Sequence, residues 1–312
     1  RAGISGITAR LIRDSPPALL QGYADMFNAI QLHWVVPDPM KIGLIHLRRK
    51  DPNKPTMAHA RPITLLECPL KLYTKGLQDR LQHALQRHEE NHGPVLETSQ
   101  YGALFNRNAT NALWSFTNAL EDANEHGKEA HMLACDVSHA YDNAEHWALE
   151  VSARRLKLPE GFIRVLADMD TQARSRVITQ HGNSPDFLCE RGVRQGDSLS
   201  PTRYLIFIDG LLEEFARGQD PYVFGKHINT VNNGGDEDND EPHGESKSNG
   251  GQAQQPTEAP QTQGQAFIDD LIPISATFEG IKERAEALTT FLQVNAGCLN
   301  AGKTFHISLN TK

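Results

Sequence analysis

The chain has 312 residues, 31 Lys and Arg against 39 Asp and Glu for a formal net charge of −8, and 38% hydrophobic residues. That length buries a sizeable core and allows two or three joined subdomains, and no apolar run approaches the roughly 20 residues that cross a membrane. The four cysteines (68, 135, 189 and 298) have no close pairing and the 14 histidines no HExxH or zinc-knuckle spacing, so free thiols, buried at Cys135 and Cys189, are expected in place of disulfides or a zinc site.

The chain opens on Arg1, not Met, and without a signal peptide it reads as a piece of a longer protein. Up to about Gln100 the pattern is mostly helical, with an extended piece near Ile42 to Leu47. Residues 41 to 90 hold ten Lys and Arg against five acids, a local positive surplus of the kind that faces phosphate. Met132-Leu133-Ala134-Cys135-Asp136 reads as a buried strand ending on a carboxylate, and a helix is expected from Ala144 to Leu156. In Gly192-Val193-Arg194-Gln195-Gly196-Asp197-Ser198-Leu199-Ser200-Pro201 the Ser-Pro pair is a natural helix start, with Tyr204, Phe207, Ile208, Leu211, Leu212 and Phe215 on one buried face.

From about Asn229 to Gly264 the chain is rich in Asn, Gly, Gln, Pro and Glu, with seven acids against Lys247 alone. Such a segment cannot bury enough surface to fold alone, which predicts a disordered acidic insertion looping from the surface or, alternatively, a partner-binding tail. Next comes Ala266-Phe267-Ile268-Asp269-Asp270-Leu271-Ile272, a tight hairpin with two carboxylates at its tip. A helix from about Phe278 to Asn295 ends near Gly297 and leads to Leu299-Asn300-Ala301-Gly302-Lys303-Thr304. An Asp-Asp pair alone is also what a solvated turn looks like. Joined by Asp136, it becomes a set of three carboxylates able to hold two divalent ions roughly 3.5–4 Å apart.

In this order the segments resemble the reverse transcriptases of non-LTR (LINE-like) retrotransposons and, more distantly, those of group II introns. Ala60-Arg61-Pro62-Ile63-Thr64-Leu65-Leu66 with Lys71, Arg80 and Leu81, and Gln100-Tyr101-Gly102 with Arg107 and Thr110, are similar to fingers segments of these enzymes. The resemblance implies an α+β right-hand polymerase fold: 1–100 as N-terminal extension and fingers, 101–273 as the rest of the fingers and a palm of antiparallel sheet backed by helices, and 274–312 as the end of the palm. The thumb, and possibly an endonuclease, would belong to the remainder of a longer polyprotein. Further implications are RNA-templated DNA synthesis from dNTPs on a DNA primer, two Mg²⁺ ions or Mn²⁺ in their place, no membrane partner, and a nuclear location.

Residue by residue, the resemblance makes Asp136, Asp269 and Asp270 the catalytic metal carboxylates, with the Val137 backbone carbonyl as a further ligand. Tyr141 would lie beneath the incoming sugar, where a ring collides with a 2′-hydroxyl. Gln195 and Gly196 would pack on the nucleotide, glycine allowing close approach. Arg61 would grip the triphosphate with its planar guanidinium, and Lys303 would contact phosphate or donate a proton to pyrophosphate. The bland alternatives are a buried core Tyr and solvated surface cations. Four positions depart from the family pattern: Ile268 where a small residue is usual, Pro273 in the second arm of the hairpin, Ser5 in place of an acid, and His139 in place of a frequent Lys. Two other functions stay open: an RNA-dependent RNA polymerase, and a degenerate or domesticated palm that binds RNA without catalysis.

Overall fold

A computed structural model describes residues 2–49, 53, 60–225 and 259–311. The N-terminal part is helical as expected: α1 (Ala9–Arg13), α2 (Pro17–His33) and a 3₁₀ turn lead into β1 (Ile42–Arg49), β2 (Ala60–Leu65), α3 (Cys68–His92) and α4 (Ala109–His126). Ser5, the departure from an acidic position, has a local reason. Its N–H donates to Glu67 Oε1 at 2.9 Å and its hydroxyl to Oε2, and Glu67 is 5% exposed, so an acid at position 5 would set two carboxylates against each other in a dry place.

Then follow β3 (Ala130–Ser138), α5 (Ala140–Asn143), α6 (His146–Arg155), α7 (Glu160–Asp170), β4 (Arg174–Thr179), β5 (Gly182–Asn183), β6 (Phe187–Leu188) and α8 (Ser200–Arg217). The helix at Ser-Pro begins at Ser200 itself, with Leu199 before it and no side-chain cap; the Ser200 hydroxyl instead donates to the Arg194 carbonyl. After β7 (Tyr222–Val223) come β8 (Gln261–Thr262), β9 (Gly264–Phe267), β10 (Asp270–Ser275), α9 (Phe278–Val294), β11 (Cys298–Leu299) and β12 (Phe305–Leu309). The acidic insertion expected at about 229–264 lies outside the described residues as far as 258. Its last residues correct the expected boundary, since Gln261 and Thr262 pair with Val223 and Tyr222 and Gly264 opens a strand.

One sheet has the order β2-β1-β4-β5, with β6 also on β4; β1 runs antiparallel to β2 and parallel to β4. It joins β1 and β2, from the segment expected as fingers, to β4, β5 and β6 of the segment 101–273. The palm sheet has the order β11-β3-β10-β9, with β12 continuing along the same strand β3, all antiparallel. One face of it packs Cys135, Val137 and Leu271 against α6, α8 and α9; the other packs Ala130, Met132 and Ile274 against Ala119 and Ala123 of α4. The six predicted core positions of α8 all enter the first of these cores. Ile206 on its other side enters a separate core with α3 and α7, so α8 is buried nearly all round and joins the two cores.

Two sequence expectations change here. Cys189 is half-buried beside Ser175 Oγ rather than in a core, while Cys135 is buried and its thiol is pushed up to about 12 by burial. Lys41, counted in the basic surplus, is buried and paired with Asp168 at 3.0 Å, so its charge is structural. Among the described residues, no helix is long and apolar enough to cross a membrane.

An ion pair adds to the apolar contact between α8 and α7. Arg203 forms a bidentate pair with Asp170, both side chains 7% exposed. Removing one partner leaves the other charge buried, so Arg203→Ala is expected to lower unfolding free energy by about 3–5 kcal/mol. Replacing both with Leu and Met should recover most of that loss. Urea titrations of the three proteins check it.

Candidate active site

Strand alternation places the carboxylates. Residues two apart on β3 share a face, so Asp136 lies on the face of Ala130 and Met132, beyond the part that α4 covers. Its register partner is Asp270, just as Met132 faces Ile274. Two aspartates are thus set side by side at the uncovered end of the sheet. Asp269 occupies the two-residue turn between β9 and β10. The strand predicted to end at Asp136 runs on to Ser138, because β11 pairs Leu299 with Val137 and Cys298 with Ser138.

The unusual hairpin residues are accommodated by glycines. Ile268 has φ +61, a left-handed conformation that a β-branched residue rarely adopts. Pro273 sits in a central strand, opposite Gly264, whose φ is +141 and where a Cβ would come within 2.6 Å of Pro273 Cα. The register with β3 is the same on both sides of the proline.

All nine residues singled out in the sequence line one cleft of about 660 Å³: Arg61, Asp136, Val137, Tyr141, Gln195, Gly196, Asp269, Asp270 and Lys303. Burial, and then the charges of Asp270 and Asp136, push Asp269 above the usual carboxylate range, while Arg61 opposes the shift. Asp270 moves the same way, through partial burial and Asp136, against Lys303. Asp136 Oδ2 accepts from Asn300 Nδ2 at 2.9 Å and lies 3.5 Å from Lys303 Nζ, and the Asn300 N–H donates to the Asp136 carbonyl. Asn300 is a site residue that sequence reasoning passed over, although it stands three positions before Lys303.

Among the described residues, no three His, Cys, Asp or Glu are gathered closely enough to hold a metal ion. The donor set nevertheless fits a hard divalent cation in kind: oxygen ligands only, with carboxylates held above their ordinary range by burial and by one another. Asp136 itself is engaged by Asn300 and Lys303.

The loop Gly192–Asp197 forms another wall. Val193 N–H donates to the Tyr141 carbonyl, Gly192 N–H to that of Ala144, and Thr64 N–H of β2 to that of Gln195. Gln195 Nε2 lies 3.3 Å from Asp142 Oδ1. Gly196, at φ +138, leaves room for β2: a Cβ there would stand 2.2 Å from the Thr64 carbonyl oxygen. The glycine expected for its approach to a nucleotide is thus already required by the protein's own backbone. Tyr141 stacks on the buried Tyr204, ring centroids 5.0 Å apart and planes at 10°. Burial, then the charge of Asp269, raises the Tyr141 phenol, so it stays neutral. Tyr204, predicted only as core, is what holds that ring flat. His139, at φ +50, starts α5 and lies 3.6 Å from Asp142.

The raised carboxylates have a pH consequence. A carboxyl raised in the folded state stabilises fully below its ordinary pKa of about 3.9, and this is lost as pH rises through the higher folded value. At neutral pH the cluster therefore costs stability until a cation arrives. Asp269→Asn should melt higher than the parent in EDTA at pH 7, with the gap closing as pH falls toward 4. Mg²⁺ should raise the parent more than the variant. Thermal melts across pH check both.

The sequence profile described as "Reverse transcriptase (RNA-dependent DNA polymerase)" matches residues 50–312. The chain is 26% identical over 189 residues to the "Retrovirus-related Pol polyprotein from type-1 retrotransposable element R2" of Popillia japonica, covering 59% of this chain and 25% of that protein. It is 23% identical over 191 residues to the type-2 element R2DM polyprotein of Drosophila melanogaster, covering 61% and 15%. The chain thus spans a quarter or less of these curated relatives. Apo telomerase from Candida tropicalis superposes with a TM-score of 0.56 at 15% identity, over 93% of this chain and 49% of that one, which shows a shared fold. The match over residues 50–312 takes in the palm sheet, the other sheet apart from β1, and the whole cleft, and the chain belongs to the reverse transcriptase (RNA-dependent DNA polymerase) family.

Proposed function

We propose that this chain is the polymerase part of a non-LTR retroelement protein, copying an RNA template into DNA by transferring nucleotides from dNTPs to a primer 3′-hydroxyl. The observation that carries the reading is the register pairing of Asp136 with Asp270 beside Asp269, in a cleft that also holds Arg61, Tyr141 and Gln195. Asp136, Asp269 and Asp270, with the Val137 carbonyl, would hold two Mg²⁺ ions, or Mn²⁺ in their place; when bound, these activate the primer hydroxyl and stabilise charge on the departing pyrophosphate.

The side chains divide the remaining work. Arg61, on the strand opposite, offers a planar donor fork to the triphosphate. Lys303, exposed on the rim, supplies a mobile positive charge that can reach phosphate and give a proton to pyrophosphate. Tyr141, kept flat by Tyr204, forms a neutral floor where a 2′-hydroxyl would collide. Gln195 and Gly196 bound the nucleotide on the side where β2 meets the loop. The template–primer duplex would lie along the basic residues of the fingers, such as Arg48 and Arg49, exposed on β1. Partners in this reading are the RNA, the primer, dNTPs and the rest of a longer polyprotein.

A second reading, an RNA-binding palm without catalysis, draws on the engagement of Asp136 by Asn300 and Lys303. Metal-dependent primer extension separates the two. In the polymerase reading, Asp136→Ala, Asp269→Ala and Asp270→Ala each lower extension by orders of magnitude with the circular dichroism spectrum unchanged. Near-parental rates in a folded Asp136 or Asp269 variant would remove this site from consideration.

Sugar choice gives a separate test. Tyr141→Ala should increase ribonucleotide incorporation relative to dNTP use by about tenfold or more, equivalent to about 1.4 kcal/mol of lost discrimination. Competing dNTP and rNTP extension measures it, and an unchanged ratio would reduce Tyr141 to a core residue.

A further inference from the structure

We infer that Gln100 is a positioning residue that clamps the turn carrying Asp269 and Asp270, with Gly102 and Arg107 completing the clamp. Its functional consequence rests on the polymerase reading above; its geometry does not. Gln100 is 1% exposed and far from the hairpin in sequence. Its Oε1 accepts the N–H of Ile268 at 2.9 Å and that of Gly102 at 2.8 Å, and its Nε2 reaches toward the Ile268 carbonyl at 3.5 Å. One amide therefore addresses both backbone groups of the residue immediately before the aspartates. That residue is the strained one, at φ +61.

The backbone beside Gln100 is fixed to the same hairpin. Ala266 N–H donates to the Ser99 carbonyl and Tyr101 N–H to the Ala266 carbonyl, each at 2.8 Å, so the segment lies along β9 as a short parallel rung. A Cβ on Gly102 would fall 2.5 Å from Ile268 Cγ1 and 2.8 Å from its nitrogen; only glycine lets this segment approach the bulky turn residue. Behind it, Arg107 Nη1 donates to the carbonyls of Gln100 at 2.9 Å and Thr98 at 3.2 Å, and Nη2 pairs with Glu89 of α3 at 3.0 Å. The turn is thus referred through Gln100 and Arg107 to a long helix of the fingers.

The chemistry requires an amide. A carboxylate at position 100 would accept the two N–H groups but lose the donor and add a fourth negative charge to Asp136, Asp269 and Asp270. Alanine would leave two buried N–H groups without partners and release a conformation that Ile268 does not favour. If the clamp offsets that strain, glycine at 268 removes the need for it, because glycine adopts positive φ freely.

The experiment compares the parent, Gln100→Ala, Gln100→Glu, Ile268→Gly and the Gln100→Ala/Ile268→Gly pair. Three readouts are used: amide hydrogen exchange over residues 266–271, Mn²⁺ binding followed by electron paramagnetic resonance, and primer extension resolved into kcat and dNTP KM. Gln100→Ala should exchange faster at Ile268 and bind Mn²⁺ about 10- to 100-fold more weakly, the range for groups that orient metal ligands. It should lose kcat with little change in KM, and the added Ile268→Gly should restore most of each. Unchanged exchange and Mn²⁺ binding in folded Gln100→Ala would overturn the inference. So would losses that follow melting temperature and gain nothing from Ile268→Gly. Should Gln100→Ala not fold alone, the pair and Gln100→Glu decide by the same criteria: a folded pair with parental Mn²⁺ binding supports the clamp, and a Gln100→Glu protein indistinguishable from the parent refutes it. A parent that extends no primer, but whose exchange and Mn²⁺ binding respond to Gln100, would defeat the polymerase reading and leave the clamp standing.

Discussion

The antiparallel pairing of β3 with β10 is the constraint on which the site depends. With a side-chain period of two, a one-residue slip of either strand would send its aspartate, Asp136 or Asp270, into the face that packs α8 and α9, and its apolar neighbour, Cys135 or Leu271, out of it. The cores on the two faces therefore fix the register that sets the aspartates side by side. Carboxylate repulsion opposes this arrangement locally, and the burial of Met132, Leu271 and Ile274, each 1% exposed or less, opposes any slip. The apolar part of the sheet holds in place a charge arrangement that would not assemble alone.

The second organising contact joins the two sheets. The loop before α8 meets β2 through the Thr64–Gln195 hydrogen bond and meets the segment after β3 through Gly192 and Val193. Beneath it, the Asp197 carboxylate takes the Thr74 hydroxyl, and Arg203 holds Asp170. The cleft is consequently walled by three chain segments distant in sequence, each tied to the others by backbone groups. Movement of the β2-β1-β4 sheet relative to the palm would have to break or carry along the contact at Gly196.

Much of this was legible in the sequence because it is written in periodic apolar patterns. The hairpin, the strand before Asp136, the buried face after Pro201 and the helix from Phe278 all show such a pattern, and the nine candidate residues share one cleft. What escaped carries no period. Asn300 and Gln100 act through single amides whose partners are far away in the chain, and Tyr204 looked like any other core aromatic. The short ladder at Tyr222–Val223 is too brief to rise above its polar surroundings, so the acidic segment was read as reaching Gly264. Lys41 was counted as surface charge because a sequence does not show that Asp168 comes to meet it. Pro273 and Ile268 looked like defects until their partners, Gly264 and Gly102, were seen in space.

That short ladder has a consequence for how the protein can vary. Val223 faces Gln261, and the Phe224 N–H bonds to the Pro260 carbonyl, so residues 222–224 and 260–262 are closed against each other just ahead of β9. The cost of closing a loop rises only logarithmically with its length, so joining the two sides of such a ladder by a segment twice as long would cost only about 0.6 kcal/mol more. The register that sets Asp270 opposite Asp136 is fixed separately, by the pairing of β10 with β3. The ladder marks a place where length is added at small cost while the sheet that carries the aspartates stays in frame.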